Sequence, residues 1–87
     1  MEHAKIIKMG YAIQKLLEEK QLVNAKPKDL MPNLIQKGFF NNDHRNGLPL
    51  RNILRDLDDC DMLYLLPQVM VERKETNRFW FFNTIEF

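Results

Sequence analysis

Cysteine, glycine and long apolar runs are all scarce in this 87-residue chain. The single cysteine, Cys60, excludes an internal disulfide and is typical of a reducing compartment. Only three glycines are present, and none belongs to a glycine-rich phosphate-binding loop. No stretch approaches the roughly 20 apolar residues of a membrane span, and no such run follows the first residues. We therefore expect a cytoplasmic protein with no signal peptide and no membrane association.

Net charge is also small, at +1, but it is unevenly distributed. Residues 1–41 contain seven lysines against four carboxylates, whereas residues 42–87 contain six basic groups against eight acidic ones. All five arginines lie in that second part. A balance of +1 does not by itself indicate a nucleic-acid partner, so the positions of the arginines in space become the central question.

The length of the chain allows one hydrophobic core, so we predict a single domain over residues 1–87. Apolar spacing of three and four residues predicts a first helix over residues 2–20. A second helix is predicted to start near Pro27 and to stop at Gly38, with a kink or restart at Pro32. A third helix is predicted from the stripe formed by Leu50, Ile53, Leu54 and Leu57.

The carboxyl-terminal part has the composition of a β-hairpin, with strands Val69–Arg73 and Arg78–Phe82 around the polar loop 74–77. Alternation along the second strand predicts Phe79 and Phe81 on one face and Trp80 and Phe82 on the other. One of these faces must pack on the helices. The other could be covered by the termini or could serve as a stacking platform for single-stranded nucleic acid.

This order of elements resembles a winged helix-turn-helix domain. The resemblance covers almost the whole chain and depends on the order of elements alone. It implies an α+β fold, a three-helix winged helix-turn-helix-like domain with a C-terminal β-hairpin as the wing. In that family the third helix usually enters the major groove of DNA and the wing touches phosphates. Carried over to this sequence, the DNA-facing residues are Arg51, Asn52 and Arg55 on the helix and Arg73, Lys74 and Arg78 on the wing.

The chemistry of these positions suits DNA. Arg51 and Arg55 lie one helical turn apart, and arginine pairs well with guanine edges, as asparagine does with adenine. Basic groups at a hairpin tip suit phosphate contacts. Four aspartates at positions 56, 58, 59 and 61 would repel phosphates, however. Arg51 and Arg55 could instead pair with Asp58, Asp59 or each other's neighbours at a spacing of four residues. The sequence leaves both alternatives open.

The remaining residues indicate a binding domain that is not an enzyme and needs no cofactor. Asp58, Asp59 and Asp61 are expected to form a solvated acidic cap without a metal site. His3 and His44 are not spaced from Cys60 as zinc ligands are. Our first expectation is double-stranded DNA binding through the third helix and the wing. The alternative is a protein-interaction module, including a homodimer, that uses the outer hairpin face or the first helix.

Overall fold

A computed structural model describes residues 1–86 of the protein. Helix α1 (His3–Lys20) is its longest helix and buries one apolar face. Its buried apolar side chains recur every three or four residues, as packing along one helical face requires; they are Ile6, Met9, Ile13, Leu16 and Leu17. The helix ends where Gln21 adopts a left-handed φ of 53°, and the Leu22 N–H donates to the Leu17 carbonyl at 3.0 Å.

Helix α2 (Pro27–Gln36) starts on a proline, whose missing N–H would be unpaired in a first turn. The sequence predicted a kink or a restart at Pro32, and the structure excludes the restart because one helix runs through this residue. Burial of Leu30, Met31 and Leu34 on the core side explains this continuity, because it outweighs the one hydrogen bond that a proline forfeits. The predicted stop is confirmed, since Gly38 follows the helix with a φ of +85°.

Helix α3 (Leu48–Asp59) buries the predicted stripe and exposes its opposite side. Leu50, Leu54 and Leu57 are buried, whereas Asn52 and Arg55 are exposed. A short 3-10 turn (Leu63–Leu65) then leads toward the hairpin.

Strands β1 (Val69–Arg73) and β2 (Arg78–Phe82) form the predicted antiparallel hairpin, with Val71 opposite Trp80. Trp80 is 4% exposed and Phe82 is fully buried, whereas Phe79 is 46% exposed. The predicted alternation is therefore confirmed. The inner face of β2 completes the core formed by the three helices.

One further residue extends the sheet on the free edge of β2. The Ala25 N–H donates to the Phe82 carbonyl at 3.0 Å, and the Phe82 N–H donates to the Ala25 carbonyl at 2.8 Å. This pair ties the α1–α2 link to the hairpin and sets the start of α2 beside β2.

The predicted fold class is confirmed at the level of an α+β domain with three helices followed by a C-terminal antiparallel hairpin. This arrangement is consistent with a winged-helix-like domain. Within the described residues, none of the helices combines the length and the apolar character needed to cross a membrane.

Candidate nucleic-acid interface

A groove of about 960 Å³ lies between the start of α2, the turn before α3, α3 itself and β2. Among residues 1–86, its wall contains six basic residues and no carboxylate; the six are Lys26, Lys28, Arg45, Arg51, Arg55 and Arg78. The rest of the wall is formed by Pro27, Asn46, Thr76, Asn77, Phe79, Trp80 and Phe81. We call this concavity the basic groove. Charges of one sign along a cleft focus the field and attract an oppositely charged ligand.

Most of these cations are not neutralised by the protein. Within the part of the chain that the structure describes, five of the six take part in no salt bridge; Arg78 is the exception. Four of the five are exposed, and Arg51 is half-buried. Their charge is therefore available to an anionic partner.

Gly47 allows the turn before α3 to lie directly against the start of α2. Its φ is +94°, and a Cβ atom at this position would lie 2.7 Å from the Lys28 nitrogen and 3.0 Å from the Pro27 carbonyl carbon. Only glycine permits both this conformation and this approach. The turn that carries Arg45 consequently lies against the start of α2, where Lys26 is placed.

Arg51 has a fixed position in the wall. Its Nη2 donates to the Arg45 carbonyl, which ties α3 to the preceding turn. Its Nε is buried and has no hydrogen-bond partner within residues 1–86. Arg55, one turn further along α3, makes no comparable bond in the described structure, so its guanidinium is free to adapt to a ligand.

The acidic end of α3 pairs with the hairpin. Arg73 binds Asp58 through two hydrogen bonds of 2.8 and 2.7 Å, and Arg78 Nη1 donates to both Asp58 and Asp59 at 2.9 Å. The Asp58 side chain is only 9% exposed. Hydrogen bonds from Arg73 and then Arg78 lower the pKa of Asp58 to about 2. Two of the carboxylates that could have repelled phosphates are thus compensated within the protein.

Two cations of the hairpin, Arg78 and Lys74, make further contacts within the hairpin. Arg78 lies over the ring of Trp80, with 6.0 Å between the guanidinium carbon and the ring centroid, at the limit of a cation–π contact. Lys74 pairs with Glu72 at 2.8 Å, and that hydrogen bond raises the pKa of Lys74. Both partners of the Lys74 pair are exposed, so we expect it to add little stability.

The six residues predicted from the sequence are divided by the structure. Arg51, Arg55 and Arg78 line the basic groove together. The other three, Asn52, Arg73 and Lys74, are exposed and lie outside its wall.

Sequence reasoning missed Lys26, Lys28 and Arg45, which complete the wall. The two lysines flank the proline that starts α2, and Arg45 precedes Gly47 in a turn. The sequence signals were the excess of lysine in residues 1–41 for the two lysines and the confinement of all arginines to residues 42–87 for Arg45, and neither specifies a surface.

Comparisons with family models, with curated proteins and with solved structures gave no match to this chain. The geometry of the basic groove is therefore the basis for a functional assignment. Residues 1–86 also contain no group of three or more His, Cys, Asp or Glu side chains placed to hold a metal ion.

Proposed function

We propose that this protein binds nucleic acid, with DNA as the first candidate, through the basic groove. The observation that carries the proposal is the composition of the wall: six basic residues and, within residues 1–86, no carboxylate. A phosphate backbone is a polyanion that such a surface attracts, and it provides the sequence-independent part of the affinity of nucleic-acid-binding proteins.

The number of uncompensated cations predicts the salt dependence. Lys26, Lys28, Arg45, Arg51 and Arg55 can each neutralise one phosphate. For single strands or duplexes, each neutralised phosphate makes the slope of log K against log salt steeper by about 0.7 to 0.9. Full engagement of these cations would give a slope of roughly −4. Arg78 contributes less, because its guanidinium is shared with Asp58 and Asp59.

Within this proposal, the arginines of α3 are the residues in position to contact the nucleic acid directly. Arg51 and Arg55 lie on one side of the helix and face the same groove. Either guanidinium could bind a phosphate or a guanine edge. Asn52 lies outside the wall, so its role in reading adenine would require a ligand that extends beyond the groove.

Fluorescence anisotropy with labelled oligonucleotides over a series of salt concentrations tests the proposal. The combined Arg51→Ala and Arg55→Ala variant should bind at least tenfold more weakly and should show a salt slope that is less steep by about 2. Unchanged affinity in this variant would overturn the proposal.

A charge-matched control separates the groove from net charge. Lys5 and Lys8 are exposed on α1 and do not line the groove. The combined Lys5→Ala and Lys8→Ala variant removes the same two positive charges, yet we expect it to retain most of the affinity. An equal loss in both double variants would mean that binding follows net charge and that the groove has no particular role.

A second candidate function, protein interaction, is favoured by a different surface. Ile7 and Tyr11 are exposed on α1, beside a shallow pocket of about 150 Å³ that Leu65, Pro67 and Ile85 also line. An exposed apolar surface of this kind can mark a site of self-association. Light scattering tests the homodimer version, because a monomer mass at all concentrations would exclude it.

A further inference from the structure

The edge of β2 that faces the basic groove has unpaired main-chain groups. The N–H and C=O of Phe82 point away from β1, since they bond to Ala25. Main-chain groups of alternate residues in a strand point to the same edge, so those of Trp80 and Arg78 do as well. Ala25 pairs with this edge only at Phe82. Within residues 1–86, the main-chain groups of Trp80 that point to this edge have no main-chain partner. This explains how Trp80 lines the groove although its side chain is buried.

The outer face of the same strand adds aromatic surface. Phe79 is 46% exposed and Phe81 is half-buried, and both line the groove. The inner face of β2 already fills the core through Trp80 and Phe82. The outward rings are therefore not needed to complete the core. An aromatic ring beside a cationic groove is the combination by which proteins stack the bases of single strands.

Three kinds of group thus meet along β2: cations for phosphates, a ring for a base face, and main-chain donors and acceptors for a base edge. In a duplex the base faces are stacked on each other and the pairing edges are occupied. An unpaired nucleotide offers all three surfaces at once. Resting on the proposed function, we infer that the basic groove holds a single-stranded segment of nucleic acid, with a base stacked on Phe79, the more exposed of the two rings, and its edge at the main chain of Trp80.

Addition of an acidic peptide strand fits the edge less well. The free edge of β2 offers the main-chain groups of only two residues, Arg78 and Trp80, before Ala25 occupies the position opposite Phe82. A strand typically pairs over about five or six residues. Two positions are too few for stable strand addition, whereas they suffice for the edge of one base.

Anisotropy with a short fluorescein-labelled oligothymidine and with a duplex of the same length tests the inference. The single strand should bind at least tenfold more tightly than the duplex. Phe79→Leu keeps the apolar volume but removes the ring, and it should weaken single-strand binding roughly tenfold. Phe79→Tyr keeps the ring and should bind like the unchanged protein. Tyr64→Leu removes an exposed ring that lies outside the groove, so it should also have no effect.

The outcomes distinguish the inference from the function on which it rests. If duplex binds as tightly as the single strand and Phe79→Leu has no effect, the inference is overturned. In that case a loss of binding in the Arg51→Ala and Arg55→Ala variant would still support the proposed function. If neither oligonucleotide binds, the proposed function fails and the inference fails with it. Binding of labelled poly-glutamate without binding of either oligonucleotide would also overturn both and would favour an acidic protein partner.

Discussion

The arginines of α3 and the arginines of the hairpin have different surroundings although they are the same residue type. Arg51 and Arg55 line a groove in which, within the described chain, no carboxylate faces them. Arg73 and Arg78 lie over the end of α3 and bind Asp58 at 2.7 to 2.9 Å. A guanidinium acts as a ligand-binding group or as a structural one according to the carboxylates within its reach. In this protein the α3 pair takes part in no salt bridge within residues 1–86, and the hairpin pair ties the hairpin to the end of the helix.

The largest loss of stability is expected from a change at Gly47, which places the turn before α3 against the start of α2. Gly47→Ala would introduce a Cβ atom 2.7 Å from the Lys28 nitrogen at a φ of +94°. Because backbone must move to relieve this contact, we expect a loss of about 3 kcal/mol or more in the free energy of unfolding. Chemical denaturation measures this loss.

Gly38→Ala is the matched control for that variant. Gly38 also has a positive φ, +85°, but nothing lies within 4 Å of an added Cβ atom. Only the conformational strain remains, so the loss should be about 1–2 kcal/mol. Equal losses in the two variants would contradict the role of Gly47 as the contact point between the turn and α2.

Asp58→Asn should lower the stability of the protein and raise the affinity of the basic groove for nucleic acid. Loss of the carboxylate leaves Arg73 and Arg78 without their shared ion-pair partner, so we expect the melting temperature to fall by roughly 4–8 °C. Arg78 then has Asp59 as its one remaining carboxylate partner within residues 1–86 and is less fully neutralised, so affinity for an oligonucleotide should rise.

Asp56→Asn removes the same charge from an exposed position of α3 that takes part in no salt bridge within residues 1–86. It should leave the melting temperature almost unchanged. If it raises affinity as much as Asp58→Asn does, release of Arg78 is not the cause.

Measuring both stability and binding for one arginine of each set tests whether the two sets have different roles. Arg55→Ala should reduce oligonucleotide binding, make the salt slope less steep by about 1, and leave the melting temperature unchanged. Arg73→Ala should lower the melting temperature with little change in binding, because Arg73 faces Asp58 outside the groove. The opposite pattern would show that the roles have been assigned the wrong way round. Thermal melts and anisotropy titrations on both variants decide the matter.

The last prediction concerns the melting temperature at low pH. The pKa of Asp58 is about 2 in the folded protein, below its ordinary value of 3.8. A carboxyl group with a lowered folded pKa stabilises the fold fully above its unfolded pKa, and this stabilisation is lost as the pH falls through the folded value. We therefore expect the melting temperature to drop between about pH 4 and pH 2 through this group. The drop should be shallower in Asp58→Asn, and equal slopes in the two proteins would contradict the assignment.

Much of the fold could be predicted from the sequence, because the signals involved are local. Both strands of the hairpin were predicted with the bounds that the structure shows, from β-forming residues on either side of a polar loop. Alternation along β2 correctly placed Trp80 and Phe82 on one face and Phe79 and Phe81 on the other, and the packing decided that the first pair faces inward. The restart predicted as one alternative at Pro32 does not occur, because helix continuity there depends on core packing that a local rule does not include.

The candidate site was predicted only in part. The spacing of Arg51 and Arg55 on one helix places them together whatever the rest of the fold does. Lys26 and Arg45 join them only because Gly47 allows two distant segments to touch. No pattern of spacing along the chain signals such a contact.

The sequence alone therefore determined the helices, the hairpin and which aromatic rings of β2 share a face, since side-chain periodicity is a property of neighbouring residues. The tertiary structure decided which cations share one wall and which are neutralised. Electrostatic attraction depends on distance in space, so the same arginine can be a free cation beside Lys28 or a paired one beside Asp58. For this reason the basic groove became visible only once the helices and the hairpin were packed together.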